Sequence, residues 1–270
     1  MQSTYLRFQG SMLITEFIVF ITFLGVIIGS FLNVVIYRLP IMIYANENNL
    51  KSPVNLLLPA SSCPHCQHRL RWWHNIPLLS FILLRGKCFF CQEFISRAYP
   101  FVEFITGWLF AFLAWQFYGD WMHLVPILIF TCWLIALMMI DMKTMLLPDS
   151  LTLSLLWLGL LVNSFHLFTD LKSAVWGAIV GYVFLYCLNK SYEIIRKKTG
   201  MGGGDFKLVA ALGAWIGWAY LPFLLFIASL LALVLILLRR VIKKIDFNDP
   251  IPFGPFLAIG GWIILLFKSL

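Results

Sequence analysis

The feature that most constrains this chain is a series of apolar segments, each roughly as long as a lipid bilayer is thick. A helix that crosses the hydrocarbon core of a bilayer needs about 20 consecutive apolar residues. Hydrophobic residues make up 61% of the 270 and charged residues only 12%, whereas soluble domains have roughly 45–50% and about 25%. The sequence therefore predicts an all-α polytopic membrane protein and excludes an ordinary soluble domain.

We predict about eight transmembrane helices, with one long polar loop after the first. The expected spans are, roughly, residues 15–37, 101–117, 121–140, 150–168, 173–188, 206–218, 221–238 and 252–267. They divide the chain into an N-terminal segment with the first helix (1–37), a cytoplasmic loop domain (38–99) and a seven-helix membrane core (100–270). The first span lacks the basic start and the small-residue cleavage site of a signal peptide, so we expect it to be retained.

The net charge of +8 is better explained by membrane topology than by nucleic-acid binding, and no nucleic-acid partner is expected. Lys and Arg concentrate in the cytoplasmic loops of membrane proteins. With eight spans and the N-terminus outside, 17 of the 20 basic residues fall on one side of the membrane. This count predicts that the polar loop lies on the cytoplasmic side, together with Asp141, Asp149 and Asp205.

A glycine run, Gly200–Gly204, consists of four glycines with Met201 among them. It leads directly into Asp205, where the sixth predicted span begins. Asp141 ends the third span at the same predicted face. Two carboxylates a few ångströms apart cannot both stay ionised, so they share a proton and can activate water against a peptide bond. The glycines would leave room for a substrate backbone. Alternatively, the aspartates cap helices or pair with Lys143 and Lys207.

Asp149 is a rival partner for Asp205 or an accessory to the pair. It follows Pro148 at the start of the fourth predicted span. An aspartate at this position is well placed to cap the helix N-terminus. We therefore expect a capping role for Asp149 and prefer Asp141 as the second catalytic carboxylate.

Four of the six cysteines form two CxxC pairs in the polar loop, Cys63 with Cys66 and Cys88 with Cys91. Two such pairs separated by about 20 residues are typical of tetrahedral zinc sites. A cytoplasmic location disfavours disulfides, although a redox function remains the alternative. Because four thiolates leave no open coordination position, we expect a structural rather than a catalytic zinc.

Several motifs follow one another along almost the whole chain. They are Gly29–Val34 with Arg38, the two CxxC pairs, Asn75–Pro77, Tyr99–Glu103, Asp141 followed by Leu147–Asp149, Gly202–Leu208, and Pro252–Pro255. In this order they make the chain similar to the type IV prepilin peptidases. These are the bifunctional leader peptidases and N-methyltransferases of type IV pilus and type II secretion systems.

The resemblance implies a G-x-G-D aspartyl protease in the bacterial inner membrane, with Asp141 and Asp205 as its catalytic pair. It implies that prepilins and pseudopilins are cleaved on the cytoplasmic side, after the glycine that ends a short basic leader. The new N-terminal residue would then be methylated with S-adenosylmethionine. The cysteine loop resembles the zinc-binding domain of the bifunctional members.

No residue is assigned to methyl transfer by this reasoning, because the sequence has no Gly-rich dinucleotide-type fingerprint for S-adenosylmethionine. Asn33, Arg38 and Glu103 are polar groups at the predicted cytoplasmic face, and they are the candidate cofactor-binding residues. Two other classes of function stay open. A transporter would place its acids near mid-span and show an internal repeat. A non-enzymatic zinc-binding assembly protein would tolerate the loss of Asp205.

Overall fold

A computed structural model describes residues 2–50, 52, 54–63, 65–197, 200–243 and 251–269. Lys51, Lys198 and Lys244, which contribute to the predicted cytoplasmic charge, lie outside these ranges. Within them the chain is almost entirely helical, and strand-like pairing is limited to two isolated bridges in the polar loop. The prediction of an all-α protein is confirmed.

The described part of the chain contains nine α-helices. They are α1 (Gln2–Glu47), α2 (Leu79–Leu83), α3 (Ala98–Gln116), α4 (Trp121–Thr144), α5 (Asp149–Asn163), α6 (Leu171–Arg196), α7 (Gly203–Ile216), α8 (Leu221–Lys243) and α9 (Gly254–Ser269). Each of the eight predicted apolar segments forms one of these helices, and only α2 falls in the polar loop. Five helical segments, in α1, α3, α4, α6 and α8, are long and apolar enough to cross a membrane. Eight complete spans are therefore not confirmed.

The first helix continues past Tyr37, where the sequence predicts the end of the span, to Glu47. Pro40 lies inside it and removes one backbone hydrogen bond. Tertiary contacts offset this loss, because Arg38 and Ala45 on either side of Pro40 are buried. The long loop consequently begins after α1, further along the chain than expected.

The chain forms two compact units, Met1–Ala136 and Leu137–Leu270. In the first unit α1 packs along α3. A Cβ atom added at Gly29 would lie 2.8 Å from the Cα atom of Glu103, and one added at Gly107 would lie 2.5 Å from a methyl carbon of Val26. The absence of side chains at Gly29 and Gly107 thus allows α1 and α3 to pack closely. The predicted division at residues 37 and 99 stays a prediction.

In the second unit α7 packs against α5, α6 and α9. Eleven of its 14 residues are buried, so this helix forms the centre of the unit although it is too short to cross a bilayer. Gly177 of α6 and Gly213 of α7 bring the two backbones into direct contact. The indole N–H of Trp215 donates a hydrogen bond of 2.9 Å to the carbonyl of Leu155 in α5.

Asn163 ties the end of α5 to the end of α7. Its side-chain amide donates to the carbonyls of Ala214 and Trp215, at 2.7 and 3.2 Å. Its side-chain oxygen accepts the backbone N–H groups of Phe168 and Thr169, at 3.1 and 3.0 Å. One buried side chain therefore satisfies four backbone groups that would otherwise lack partners in an apolar environment.

Candidate active site

Asp205 lies in the first turn of α7. Gly202 precedes this helix in an extended conformation, and the helix begins at Gly203. The backbone N–H of Asp205 donates to the carbonyl of Gly202 at 3.2 Å. Only 9% of Asp205 is exposed. The glycine run thus ends in a helix that carries a buried carboxylate into the interior of the second unit.

Asp141 lies near the end of α4 and is only 4% exposed. Its Oδ2 atom accepts the backbone N–H of Gly254, the first residue of α9, at 3.0 Å. A Cβ atom added at Gly254 would lie 2.6 Å from this same oxygen. The backbone can approach the carboxylate so closely only because residue 254 is a glycine.

Leu147 connects the surroundings of the two aspartates. A Cβ atom added at Gly204 would lie 2.8 Å from the Cβ atom of Leu147, and one added at Gly254 would lie 3.3 Å from a Leu147 methyl carbon. The starts of α7 and α9 therefore meet at one side chain. Asp141 and Asp205 are also near enough for their charges to interact. The structure brings together the two carboxylates that the sequence paired.

No ion pair satisfies either of these carboxylates among the residues that the structure describes. The alternative in which Asp141 and Asp205 pair with Lys143 and Lys207 is wrong. Lys207 instead contacts both carboxylate oxygens of Asp149, at 2.6 and 2.7 Å. A buried charge without a partner is costly, so two such aspartates in one place are unusual in a merely structural site.

Asp149 differs from the other two aspartates in its exposure and its partner. Its side chain is 58% exposed and ion-paired with Lys207. The predicted capping role is wrong, because the N-cap residue of α5 is Pro148 and no side chain caps this helix. Asp149 is the first helical residue, where its charge interacts favourably with the helix dipole and with the Lys207 ammonium.

The four loop cysteines form one cluster. Their sulfur atoms all lie within 4.8 Å of one another, and none forms a disulfide. The Cys63 and Cys91 sulfurs are 3.8 Å apart, which is about the separation of two thiolates on a tetrahedral zinc with Zn–S bonds of about 2.3 Å. The cluster therefore fits a four-thiolate metal site.

Each CxxC pair has the same backbone turn. The N–H of the first cysteine donates to the carbonyl five residues later, from Cys63 to His68 at 3.0 Å and from Cys88 to Glu93 at 2.8 Å. In both turns the residue four positions after the first cysteine has a φ of 58°. The loop therefore contains two copies of one knuckle, with a glutamine at the position of positive φ in both, Gln67 and Gln92.

The electrostatics of the cluster also favour a cation. Burial disfavours the Cys88 thiolate, but the backbone N–H groups of Cys91 and Phe90 and the neighbouring thiols outweigh it and lower the pKa of Cys88 to about 7. The N–H of Glu93 favours the Cys91 thiolate, whereas burial and the neighbouring sulfurs oppose it and raise the pKa of Cys91 to about 12. One thiol thus ionises readily and further ionisation needs a compensating positive charge.

Of the three candidate cofactor-binding residues, Arg38 and Glu103 hold the polar loop against α1 and α3, and Asn33 joins α1 to α3. Arg38 donates to the carbonyls of Asn55 and Pro59 at 2.8 and 2.7 Å. Asn33 donates to the carbonyl of Tyr99 at 3.0 Å. The remaining candidate, Glu103, accepts the backbone N–H of Leu78 at 2.8 Å. Because all three bond to the backbone of this chain, they do not by themselves form a site for S-adenosylmethionine.

Two residues near the aspartates received no individual role from the sequence. Gly254 was part of a recognised motif, and Leu147 preceded Pro148 in another. The only available signal was their position inside these motifs, since neither a glycine nor a leucine carries chemistry. Their function becomes visible only when α4, α7 and α9 are packed together.

Two family models match this chain. The model for the bacterial peptidase A24 N-terminal domain matches residues 23–117, and the model for the type IV leader peptidase family matches residues 128–237. No solved structure matches the chain.

Curated relatives match nearly the full length. The chain is 48% identical over 255 residues to a prepilin leader peptidase/N-methyltransferase from Stutzerimonas stutzeri, covering 90% of this chain and 88% of that protein. It is also 48% identical to the protein of that name from Neisseria gonorrhoeae, covering 89% and 87%. The identity to the Pseudomonas aeruginosa protein is 43%, with coverage of 90% and 88%.

Proposed function

The chain belongs to the type IV leader peptidase family, and on that premise we propose that it cleaves prepilins with Asp141 and Asp205 as its catalytic pair. It is an enzyme, an aspartic peptidase and N-methyltransferase, and its apolar helices make it a multi-pass membrane protein. The transporter and non-enzymatic alternatives are not favoured. We further propose its catalytic residues, its mechanism and the side of the membrane on which it cleaves.

A single observation carries the assignment: Asp141 and Asp205 are both buried around the Leu147 side chain where α7 and α9 begin, with no cationic partner among the described residues. Asp149 is exposed and paired with Lys207. A catalytic carboxylate pair needs both the proximity and the absence of a competing cation, because a cation would hold both members ionised.

In the mechanism we propose, the two carboxylates share one proton. Asp141 accepts the Gly254 N–H, and a hydrogen bond from an amide favours a carboxylate's charged form. We therefore assign Asp141 as the base that takes a proton from the attacking water. Asp205 would carry the shared proton and donate a hydrogen bond to the oxygen of the scissile carbonyl.

The predicted topology gives the sidedness of this chemistry. The charge distribution predicts that the N-terminal end of α7 and the C-terminal end of α4 face the cytoplasm. A substrate with a basic leader in the cytoplasm and an apolar segment in the bilayer would present its scissile bond at this interface. We propose that pseudopilins, which have the same arrangement, are also substrates, and that the membrane is the bacterial inner membrane.

Two cofactors complete the proposal. Cys63, Cys66, Cys88 and Cys91 would hold a structural zinc ion, which would fix the fold of the loop without an open position for catalysis. S-adenosylmethionine supplies the methyl group for the second activity when bound. The candidates for the S-adenosylmethionine site remain Asn33, Arg38 and Glu103. Their role there would be indirect, because they order the surrounding structure.

The test is cleavage of a prepilin by purified protein carrying Asp141→Asn, Asp149→Asn or Asp205→Asn. We expect the first and third variants to lose cleavage while they remain folded and retain zinc. Asp149→Asn should retain most activity, since it weakens an exposed ion pair that contributes under about 1 kcal/mol. Substantial cleavage by Asp205→Asn would refute the assignment. Loss of cleavage in Asp149→Asn but not in Asp141→Asn would show that Asp149 is the partner.

A further inference from the structure

A cleft of about 630 Å³ lies between the C-terminal part of α6 and the glycine run that leads to Asp205. The side from α6 consists of Tyr186, Asn189, Lys190 and Glu193, and the opposite side consists of Gly200–Gly203 and Phe206. Its size is in the range of pockets that bind small molecules or short peptide segments, roughly 300–1,000 Å³.

On the glycine side of this cleft, packing explains the lack of a side chain at Gly200, where an added Cβ atom would lie 2.9 Å from the Tyr192 ring, but neither packing nor conformation explains it at Gly202 and Gly203. A Cβ atom added at Gly203 would meet no atom within 4 Å, and one added at Gly202 would make only an ordinary contact of 3.7 Å with Asp205. The φ angle of Gly202 is −70°, which any residue can adopt. By contrast, Gly204 is required by its contact with Leu147. Exposed backbone beside Asp205 leaves space for a ligand's own backbone.

The opposite side of the cleft holds the glycine run in place. The side-chain oxygen of Asn189 accepts the backbone N–H groups of Gly200 and Met201, at 3.2 and 3.0 Å. Its amide donates to Oε1 of Glu193, one helical turn later, at 3.1 Å. Lys190 contacts the other oxygen of Glu193 at 3.1 Å. This short network fixes the position of the segment that leads to Asp205.

The remaining lining is aromatic and the charge is balanced. The Tyr186 and Phe206 rings meet edge to face, with centroids 6.5 Å apart. Lys190 and Glu193 neutralise each other. Such a surface favours uncharged, partly apolar peptide residues over the charged part of a leader.

We propose that this cleft is the subsite for the uncharged substrate residues next to the scissile bond, with an apolar side chain against Tyr186 and Phe206. Asn189 is a positioning residue, which holds the glycine side at the distance that an extended peptide requires. This inference rests on Asp205 as the catalytic carboxylate.

Photo-crosslinking tests the location directly. In full-length Asp205→Asn protein, which should bind substrate without cleaving it, benzoylphenylalanine replaces Lys190 at the edge of the cleft. Ile195, exposed on the opposite face of the same helix, receives the same label as a matched control. A synthetic prepilin peptide that spans the scissile bond should crosslink at position 190 and not at 195. Equal or greater crosslinking at position 195 would overturn the proposal.

Kinetics test the role of Asn189. Asn189→Ala removes two hydrogen bonds to the glycine run, so we expect KM to rise about tenfold or more, with faster amide exchange at Gly200 and Met201. The double variant Asn189→Asp with Glu193→Gln exchanges donor and acceptor between the two side chains. It should restore KM, because the bonds to each other and to the glycine run can re-form. An unchanged KM in Asn189→Ala would refute the positioning role.

The two hypotheses fail in different ways. If Asp205→Asn still cleaves, the catalytic assignment is wrong. If Asp205→Asn binds the peptide without cleaving it, but position 190 does not crosslink, the assignment stands and the cleft is not the subsite.

Discussion

The contact between Gly254 and Asp141 gives the sharpest prediction, the effect of Gly254→Ala. The added Cβ atom would lie 2.6 Å from Oδ2 of Asp141, whereas ordinary contacts begin at 3.4 Å. The carboxylate must therefore move by about 0.8 Å, the difference between those two distances. A displacement of about 1 Å at a reacting group can cost about 100-fold in rate. We expect a loss of that size in kcat.

A matched control lies in the same helix. Gly260, also in α9, would place its added Cβ atom no nearer than 3.4 Å to any neighbour, so Gly260→Ala should cleave at nearly the wild-type rate. Both variants would be assayed with saturating prepilin peptide, alongside thermal unfolding. A fall in kcat for Gly254→Ala at unchanged stability would locate the effect at the carboxylate.

Combination with Asp141→Asn gives a second criterion. If the alanine acts only by displacing Asp141, the double variant should be no slower than Asp141→Asn alone, since residues that act as a unit are not additive. Equal rates for Gly254→Ala and Gly260→Ala would refute the reasoning. A further large loss in the double variant would show that the alanine acts elsewhere.

Three other substitutions test the structural sites. Cys63→Ser should abolish stoichiometric zinc binding, as measured by metal analysis, whereas Cys187→Ser, an exposed cysteine in α6, should leave it intact. Asn163→Ala should lower the free energy of unfolding by about 2 kcal/mol or more, because buried backbone groups lose partners. Ser164→Ala, at an exposed neighbour, should have little effect in the same denaturation assay. Arg38→Lys should increase amide exchange in the polar loop, since a single ammonium cannot replace both guanidinium contacts.

The sequence was sufficient to predict the helices and the pairing of Asp141 with Asp205. Apolar segments of membrane length identify helices because lipid leaves few alternatives for the backbone. The pairing was suggested by two acids at one predicted depth, and the family resemblance implied the same pair. The cysteine cluster could also be predicted from the sequence, because CxxC spacing encodes the local turn that brings each pair of sulfurs together.

The role of Asp149 could not be predicted from the sequence in this way. Its position after Pro148 indicated a cap, but the partner that determines its role, Lys207, is 58 residues away. The length of α1 was missed for a similar reason. Arg38 and Pro40 suggest an end to the helix locally, and only the tertiary contacts of Arg38 with the loop show why it continues. Long-range partners decide these details, and no local pattern encodes them.

The direct backbone contact between Gly177 and Gly213 restricts how the proposed catalytic region can move. With no side chains between them, α6 and α7 cannot slide or tilt past each other without a steric clash. Cleavage nevertheless requires a substrate to enter and two products to leave. The adjustment would then be local, at Gly202 and at Gly203, the first residue of α7, whose surroundings are open. Each turnover would reshape a few backbone torsions there while the rest of α7 stays rigid.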